Sequence, residues 1–516
     1  MISGIWLAVK MTAFISLAGM LFAWLLHPAE ARWVRSRALP LTAGLFLTGM
    51  LVPNIWIMYL VIIAVIPMMS RSVGEAAACY MLVIIGLPRL EHAATIGPIY
   101  ILPFDKWVMS AIGISIAHLV HRAKKTEVVG SRFDLPFLLF LGLELLQARG
   151  APNFTSFLRS EANALISFAI PYFAVTRAFR KPDDLRLMLL ATCFGFFVLS
   201  TMAVYESRTG FLLYDFIAQR LGSTESTLGY LHVRSGMLRA HATFGDATAL
   251  GTAIAGAFLA TMVLRSSFRT RACYFVALLA LFGGLYATNS RGPILALALG
   301  VVCFDVYNRR YGQAFLKAGT LGGAYLLALT IAQFSVRFAD RLGDGSTSGD
   351  TITYRHLLIT RGLEEIRKHP LAGISPNKLN IVLADLRQGE GIIDFVNGYI
   401  YYGLTAGVLG AAALLLCFLL PVSRVMTLRR KMSWDPQLLK MGALTFSLGI
   451  MTMLSCGTAG FGGRTAIIFF ILSSTGLIAG AIRRPRPGPP DMNNVEMDGQ
   501  APHHGAPNLA VYGTVV

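Results

Sequence analysis

Apolar runs of near helix-spanning length recur along this chain as far as residue 482, each bounded by charge or by Gly, Pro and Asn. No other feature limits the fold so strongly. A helix of about 20 apolar residues matches the hydrocarbon core of a bilayer. Inside lipid the backbone N–H and C=O groups must be bonded within the chain, which a helix does by itself. Composition agrees. Of the 516 residues 55% are hydrophobic and only 14% charged, whereas soluble domains carry about 25% charged residues. The mean hydropathy is +0.60. A water-soluble domain of this length could not hide that much apolar surface. A cleaved signal peptide does not account for the first run, because the runs continue to the end of the hydrophobic region. The expected fold class is all-α: a polytopic integral membrane protein with about 12–15 transmembrane helices.

Clear candidate spans are 4–26, 101–119, 162–176, 186–205, 246–264, 272–287, 314–333, 397–420, 441–456 and 464–482. Residues 39–70 hold Pro53 and Asn54 midway, so they form either two short spans with a tight turn or one broken span. Residues 75–88, 133–147 and 293–306 are short for a full crossing. The domain organisation expected is a single membrane unit over 1–482 with a tail over 483–516. That tail, rich in Pro, Gly and Asn and without periodicity, reads as disordered, and its His503–His504 pair as a chance pairing.

The net charge is +18. Its distribution argues against nucleic acid as the partner. Basic residues gather in short loops: His121, Arg122, Lys124, Lys125 and Arg132; Arg177, Arg180 and Lys181; Arg265, Arg269 and Arg271; Arg309 and Arg310; Arg424, Arg429, Arg430 and Lys431; Arg483, Arg484 and Arg486. Short basic loops stay in the cytoplasm. The alternate loops, 206–245, 288–292, 334–396 and 457–463, then face outward. The C-terminus is expected in the cytoplasm, while the N-terminal orientation stays open. The six cysteines sit in or beside apolar runs and form no CxxC, so they read as buried small hydrophobes. No phosphate-binding GxxxxGK[ST] loop and no dinucleotide fingerprint is present.

The outward loops hold the candidate chemistry. In YATNSRGPILALALG, Arg291 stands at a helix start, with Pro293 suited to the first turn. Free N–H groups there, together with a guanidinium fork, would make an anion site. The plainer role is an arginine snorkelling to lipid headgroups. In MLRAHATFGDATALG, Arg239 and His241 precede a helix for which Asp246 is a natural cap. The long loop contains TYRHLLITRGLEEIRKHPLAGI, read as an amphipathic helix opened by Arg355, carrying Arg361, and ended by Pro370. It continues to EGIIDFVNGYIYYGLTAGVLG, where Glu390, Asp394 and Asn397 precede the next span. A carboxylate at that depth is costly unless paired or hydrated. Arg464 opens the last helix. Arginines at outer helix ends with carboxylates nearby suit a lipid pyrophosphate, with a carboxylate to orient or deprotonate a hydroxyl. On this ground alone, catalysis and transport stay equally open.

These pieces, RAHATFGDATALG, TNSRGPILALALG, YRHLLITRGLEEIRKHPLAGI and FVNGYIYYGLTAGVLG, resemble in order and spacing the O-antigen ligase and O-antigen polymerase superfamily of bacterial inner-membrane proteins. The resemblance covers about 160–460, and the first 150 residues fit only as generic membrane helices. It implies a glycosyltransferase whose donor is an oligosaccharide on undecaprenyl pyrophosphate, used at the periplasmic face without cofactor or metal. It implies that Arg291 and Arg355 bind the pyrophosphate. Arg239, His241, Arg464, Asn397 and Glu390 are candidates for the rest of the substrate site. Ligases of the family place a histidine before the asparagine of the fourth motif; here Val396 precedes Asn397. Asp394 is then a candidate catalytic group, with His356 and His369 as alternatives. The missing histidine favours a polymerase of exopolysaccharide or O-antigen repeat units. A ligase, a transporter of polysaccharide intermediates and an assembly protein are the other readings. Implied partners are membrane lipids, the lipid-linked oligosaccharide, and a chain-length regulator or other export proteins.

Overall fold

A computed structural model of the chain describes residues 2–96, 99–121, 133–224, 233–234, 236–332, 346–387 and 393–482. Glu390 and the tail from residue 483, with its His503–His504 pair, lie outside them. The first apolar run is α1 (Ile2–Leu25), followed by the short α2 (Pro28–Trp33) and, through a π turn, by α3 (Leu39–Leu51). The run at 39–70 is two helices. Val52 is extended, and the Asn54 side chain accepts from the Trp56 N–H at 2.8 Å to cap α4 (Ile55–Met69). Ser72 caps α5 (Val73–Gly86) in the same way.

The expected span at 101–119 is corrected. Strand β1 (Glu91–Ile96) pairs antiparallel with β2 (Ile99–Asp105), and only then does α6 (Lys106–Val120) begin. Asp105 supplies the reason for the late start. It is extended, and its Oδ1 accepts from the Val108 N–H at 2.7 Å as an N-cap. There follow α7 (Leu135–Gln147), α8 (Phe154–Ala164), α9 (Ile170–Ala178), α10 (Pro182–Thr209) and α11 (Leu213–Arg220). A two-residue hairpin, β3 (Val233–Arg234) with β4 (Met237–Leu238), leads to α12 (Ala247–Val263), α13 (Arg271–Ala287), α14 (Arg291–Tyr307) and α15 (Tyr311–Ala332). The remainder is α16 (Ser346–Lys368), α17 (Pro376–Val382), α18 (Gly398–Met432), α19 (Pro436–Thr458) and α20 (Gly463–Ala479).

The protein is therefore all-α and polytopic. Among the described residues five helices are long and apolar enough to cross a membrane: the segment Ile5–Leu25, α10, α12 with the turn after it, α18 and α19. Shorter apolar helices, α4, α5, α6, α13 and most of α20, stand among them. Helix α10 is interior, with 83% of its spanning window buried, whereas α1 is peripheral at 33%. Around α10 pack α5, α13, α12 and α1, and around α19 pack α18, α14, α20 and α12. Small residues let the backbones approach: a Cβ on Gly284 of α13 would stand 2.4 Å from Cβ of Ser200 on α10. All six cysteines are buried in this packing.

Cross-contacts sort the helix ends into two sets. The Arg269 N–H donates to the carbonyl of Leu25, and the His27 N–H to that of Ser267, so α1 ends beside the basic 264–271 loop. Arg186 bonds Glu30 and Ser267 there, and Arg177 pairs with Asp134. Given that anchor, α1 starts at the opposite end. The opposite end carries the starts of α6, α12, α14, α18 and α20.

At that opposite end residues of 354–387 and 393–404 build a small core of their own. Leu358, Ile374, Leu379, Leu383, Leu386, Ile393, Ile400 and Leu404 pack together, with Val396 and Tyr354 against them. The segment after α16 docks on a break in α18: Gly407 has φ +70, and the Val408 N–H donates to the Pro370 carbonyl at 2.8 Å. A Cβ on Gly407 would meet that carbonyl oxygen at 2.4 Å, so only glycine fits. Leu358, wholly buried here, is the test of this local core. Leu358→Ala should destabilise the segment by about 2–5 kcal/mol. Hydrogen exchange should quicken across 354–404 and stay unchanged in α10; equal protection in the variant would refute a separate core.

Candidate active site

The site is assembled from four distant stretches of chain. The 239–246 loop comes first. Its backbone turns through Ala242 at φ +43 and Gly245 at φ +70. The turn is held by the Glu206 carboxylate, which accepts from the Ala242 N–H at 3.0 Å, and by the Thr243 hydroxyl, which donates to the Ile85 carbonyl at 2.7 Å. So fixed, Arg239 extends its guanidinium to Ser290, donating to Oγ at 2.9 Å, and to Thr248 Oγ1 at 3.2 Å. Asp246 is the N-cap of α12, its Oδ1 accepting from the Ala249 N–H at 2.6 Å.

The second stretch is the 288–291 turn. Asn289 is left-handed at φ +48, and Ser290 is the N-cap residue of α14, whose first residue is Arg291. The Ser290 hydroxyl donates to the Thr288 carbonyl at 3.2 Å and gives no cap to the helix. The first N–H groups of α14 thus keep their positive end directed at this space. Gly292 packs under Thr458, whose Oγ1 would lie 2.8 Å from an added Cβ, which brings the turn at the end of α19 alongside.

The third and fourth stretches meet at Tyr354. Its hydroxyl donates to the Asp394 carbonyl at 3.0 Å, tying the 394–397 stretch to α16. The Val396 N–H also donates to that carbonyl, at 2.9 Å. Asn397 caps α18, accepting from the Ile400 N–H at 3.1 Å, and donates to the Gly457 carbonyl at 3.2 Å. The Gly398 N–H reaches the Ala459 carbonyl at 3.1 Å, so the start of α18 is tied to the turn leading into Arg464.

Electrostatics binds these stretches together. Burial pulls the Arg239 guanidinium below its ordinary pKa. The carboxylates of Asp246 and then Asp394 oppose that, and Arg355 reinforces it. Arg239, Asp246, Arg355 and Asp394 therefore share one field. The two arginines and two aspartates balance, so a positive potential for an anionic group must come from the start of α14 and Arg291 beside Ser290, which Arg239 bonds.

The remaining expected residues are placed as follows. His241 turns inward, buried, with Nε2 3.6 Å from Oδ2 of Asp215. Arg464 is the second residue of α20, and its side chain lies outside the described part. Arg355 does not open its helix: α16 starts at Ser346, and the polar STSGDTIT stretch that precedes Tyr354 carries no apolar periodicity to announce it. Arg361 is an exposed strut, its Nε 2.9 Å from Asp385 and its Nη1 2.9 Å from Glu364, and both partners raise its pKa. His356 is exposed on α16 next to Arg355, and His369 is exposed beyond its last turn.

Sequence reasoning missed Arg89, Asp105, Trp107, Asn163 and Ser167. They line a cavity of about 330 Å³ that also takes in Asp246, Gly462 and Thr465. Arg89 lies across Gly245, whose added Cβ would come 2.2 Å from the arginine Cδ. No single pattern marks these residues, since they come from the segment before β1, the start of α6, the end of α8 and the π turn after it.

Residues 275–415 match the family model described as O-antigen ligase. The match covers about a quarter of the chain and shows a similarity of that part to the O-antigen ligase family. No curated protein matches it. The matched span holds Arg291, Arg355, Asp394, Val396 and Asn397, while Arg239, His241 and Arg464 fall outside it. The apolar helices fit a multi-pass membrane protein, and the matched part is similar to the O-antigen ligase family.

Proposed function

We propose that this protein is a polymerase of undecaprenyl-pyrophosphate-linked oligosaccharide repeat units, working at the periplasmic face of a bacterial inner membrane with its C-terminus in the cytoplasm. The observation that carries this reading is the convergence on one spot of Arg239, the start of α14 at Arg291, Arg355 and Asp394. The donor's pyrophosphate sits among the arginines. A sugar hydroxyl of the acceptor forms the new bond to the anomeric carbon, and the bond from that carbon to the phosphate oxygen breaks. The electron pair leaves with the lipid pyrophosphate, whose charge the arginines hold, and the hydroxyl proton passes to the Asp394 carboxylate. Membrane lipids and a chain-length regulator are the partners this role brings.

Val396 favours the polymerase over the ligase. It stands where ligases place a histidine, and it packs into the small apolar core, where it has no proton to exchange. The family model's ligase description keeps transfer to a lipid or protein acceptor as the second reading. A transporter is disfavoured because Arg239 lies in a loop, Arg291 at a helix start and Arg355 on α16, and none of them is in a helix long and apolar enough to span.

The test is reconstitution. Purified protein given only lipid-pyrophosphate repeat units, extracted from cells lacking it, should yield a ladder of longer chains and free lipid pyrophosphate. Absence of elongation, with transfer to a supplied lipid A core, would replace the polymerase by the ligase.

A further inference from the structure

The cavity lined by Arg89 and Asp105 has no part in the pyrophosphate chemistry, yet it shares Asp246 with the arginine cluster. Resting on the polymerase reading, we infer that this cavity holds the terminal sugar of the acceptor glycan and presents its hydroxyl to the donor. Three observations lead there.

The first is charge. Among the described side chains one arginine and two aspartates border the space, Arg89 against Asp105 and Asp246. A pyrophosphate would meet more negative than positive charge, whereas an uncharged polyol would find both donors and acceptors. The second is shape. Trp107, Phe168 and Phe244 give the cavity flat apolar walls beside those polar groups, as the two faces of a sugar ring require. Its volume of about 330 Å³ stands at the small end of ligand pockets. That is the scale of one or two sugar rings rather than a lipid or a whole repeat unit.

The third is local backbone geometry. The helix from Phe154 to Ala178 is interrupted by a π turn over Leu165–Ala169. Such turns occur mostly as single insertions, and often at functional sites. This one carries Ser167 and Phe168 to the cavity below Asn163, and the Ser167 hydroxyl donates to Asn163 Oδ1 at 3.3 Å. Ser167 is nearly closed to solvent at 7% exposure. A straight α-helix would send residues after the turn about 100° away from their present direction.

Asp246 is the link between the two spaces. It borders the cavity, and its charge acts on Arg239 beside Ser290. A sugar seated in the cavity has its hydroxyl toward the anomeric carbon whose pyrophosphate the arginines hold. Donor and acceptor thus occupy separate pockets with opposite charge balance, and a chain that has just been extended cannot slip into the donor pocket by its sugar end alone.

The experiment uses the full-length protein and repeat units freed of lipid by mild acid, which can accept but not donate. Ser167→Trp fills the cavity, and Asn163→Ala removes a hydrogen-bonding group without adding bulk. Ser167→Trp should raise the KM for the lipid-free acceptor about tenfold or more, and Asn163→Ala roughly three- to tenfold. Undecaprenyl pyrophosphate should bind both variants as it binds the parent. Unchanged acceptor KM in both variants overturns the assignment. Weakened lipid-pyrophosphate binding with normal acceptor KM also overturns it, and gives the cavity to the donor. Calorimetry of the lipid-free repeat unit keeps the question separate from catalysis. A parent that binds it but never elongates chains defeats the polymerase reading, while equal binding by parent and Ser167→Trp defeats the cavity.

Discussion

Arg291→Lys is expected to lower the rate of glycan transfer by about 10²- to 10³-fold, the usual loss when one preorganised donor to a developing oxyanion is removed. The substitution keeps the charge. What it removes is the planar fork, and a lysine ammonium cannot donate two parallel hydrogen bonds to neighbouring phosphate oxygens. Arg291 is the first residue of α14, so its backbone N–H and those following point at the same oxygens. Lysine leaves those N–H groups in place, which is why the loss should be in rate more than in donor affinity. Insertion and folding should be unchanged, because Pro293 in the first turn and the close approach of Gly292 to Thr458 do not involve the Arg291 side chain. Turnover measured on lipid-linked repeat units decides it. A lysine variant with normal kcat would remove Arg291 from the pyrophosphate site. Arg361→Lys provides the contrast: Arg361 is an exposed strut between Asp385 and Glu364 and should tolerate the change.

Much of this architecture is legible in the chain because membrane spans are written in long apolar runs. Capping residues then set the boundaries to within a few positions, as Asn54, Asp246 and Asn397 do for α4, α12 and α18. The failures have local physical causes. Residues 99–105 are as apolar as a span, but they find a strand partner in 91–96, and Asp105 delays the helix. Tertiary pairing thus overrides a hydropathy run that is continuous on paper. The start of α16 was hidden because STSGDTIT carries neither apolar period nor charge pattern.

The arginines of the site were legible for a different reason. A guanidinium next to a span is costly and therefore conspicuous. The cavity was not, because its walls come from the ends of β2, α8, α12 and the turn before α20, none of which departs from ordinary helix-end chemistry. Asp105 and Asp246 each do a plain capping duty that hides any second role. His241 shows the reverse. It stands in a motif beside Arg239, and its side chain faces the interior toward Asp215 rather than the arginines. Adjacency in sequence placed two neighbours on opposite sides of one turn.

The largest effect after Arg291 is expected at Asp394. Asp394→Asn should cut transfer by roughly 10²- to 10⁴-fold, the range for loss of a general base. The variant is a clean test because Asp394 is located through its backbone: its carbonyl accepts from the Tyr354 hydroxyl at 3.0 Å and from the Val396 N–H at 2.9 Å. An asparagine keeps both bonds and the side-chain size, and removes the charge and with it the ability to take a proton. Lipid pyrophosphate should still bind, and more tightly if anything, since one negative charge near Arg239 is gone. The two histidines of the loop are weaker candidates for the same task. His369 follows α16 about 20 Å along the axis from Arg355, at about 1.5 Å per residue. His356 is close in sequence, but successive residues on a helix point about 100° apart, so it does not share the direction of Arg355. Measuring kcat for Asp394→Asn beside His356→Gln separates them. If the asparagine variant elongates glycans normally and the glutamine variant does not, the base is the histidine, and the step in which Asp394 accepts the hydroxyl proton is wrong.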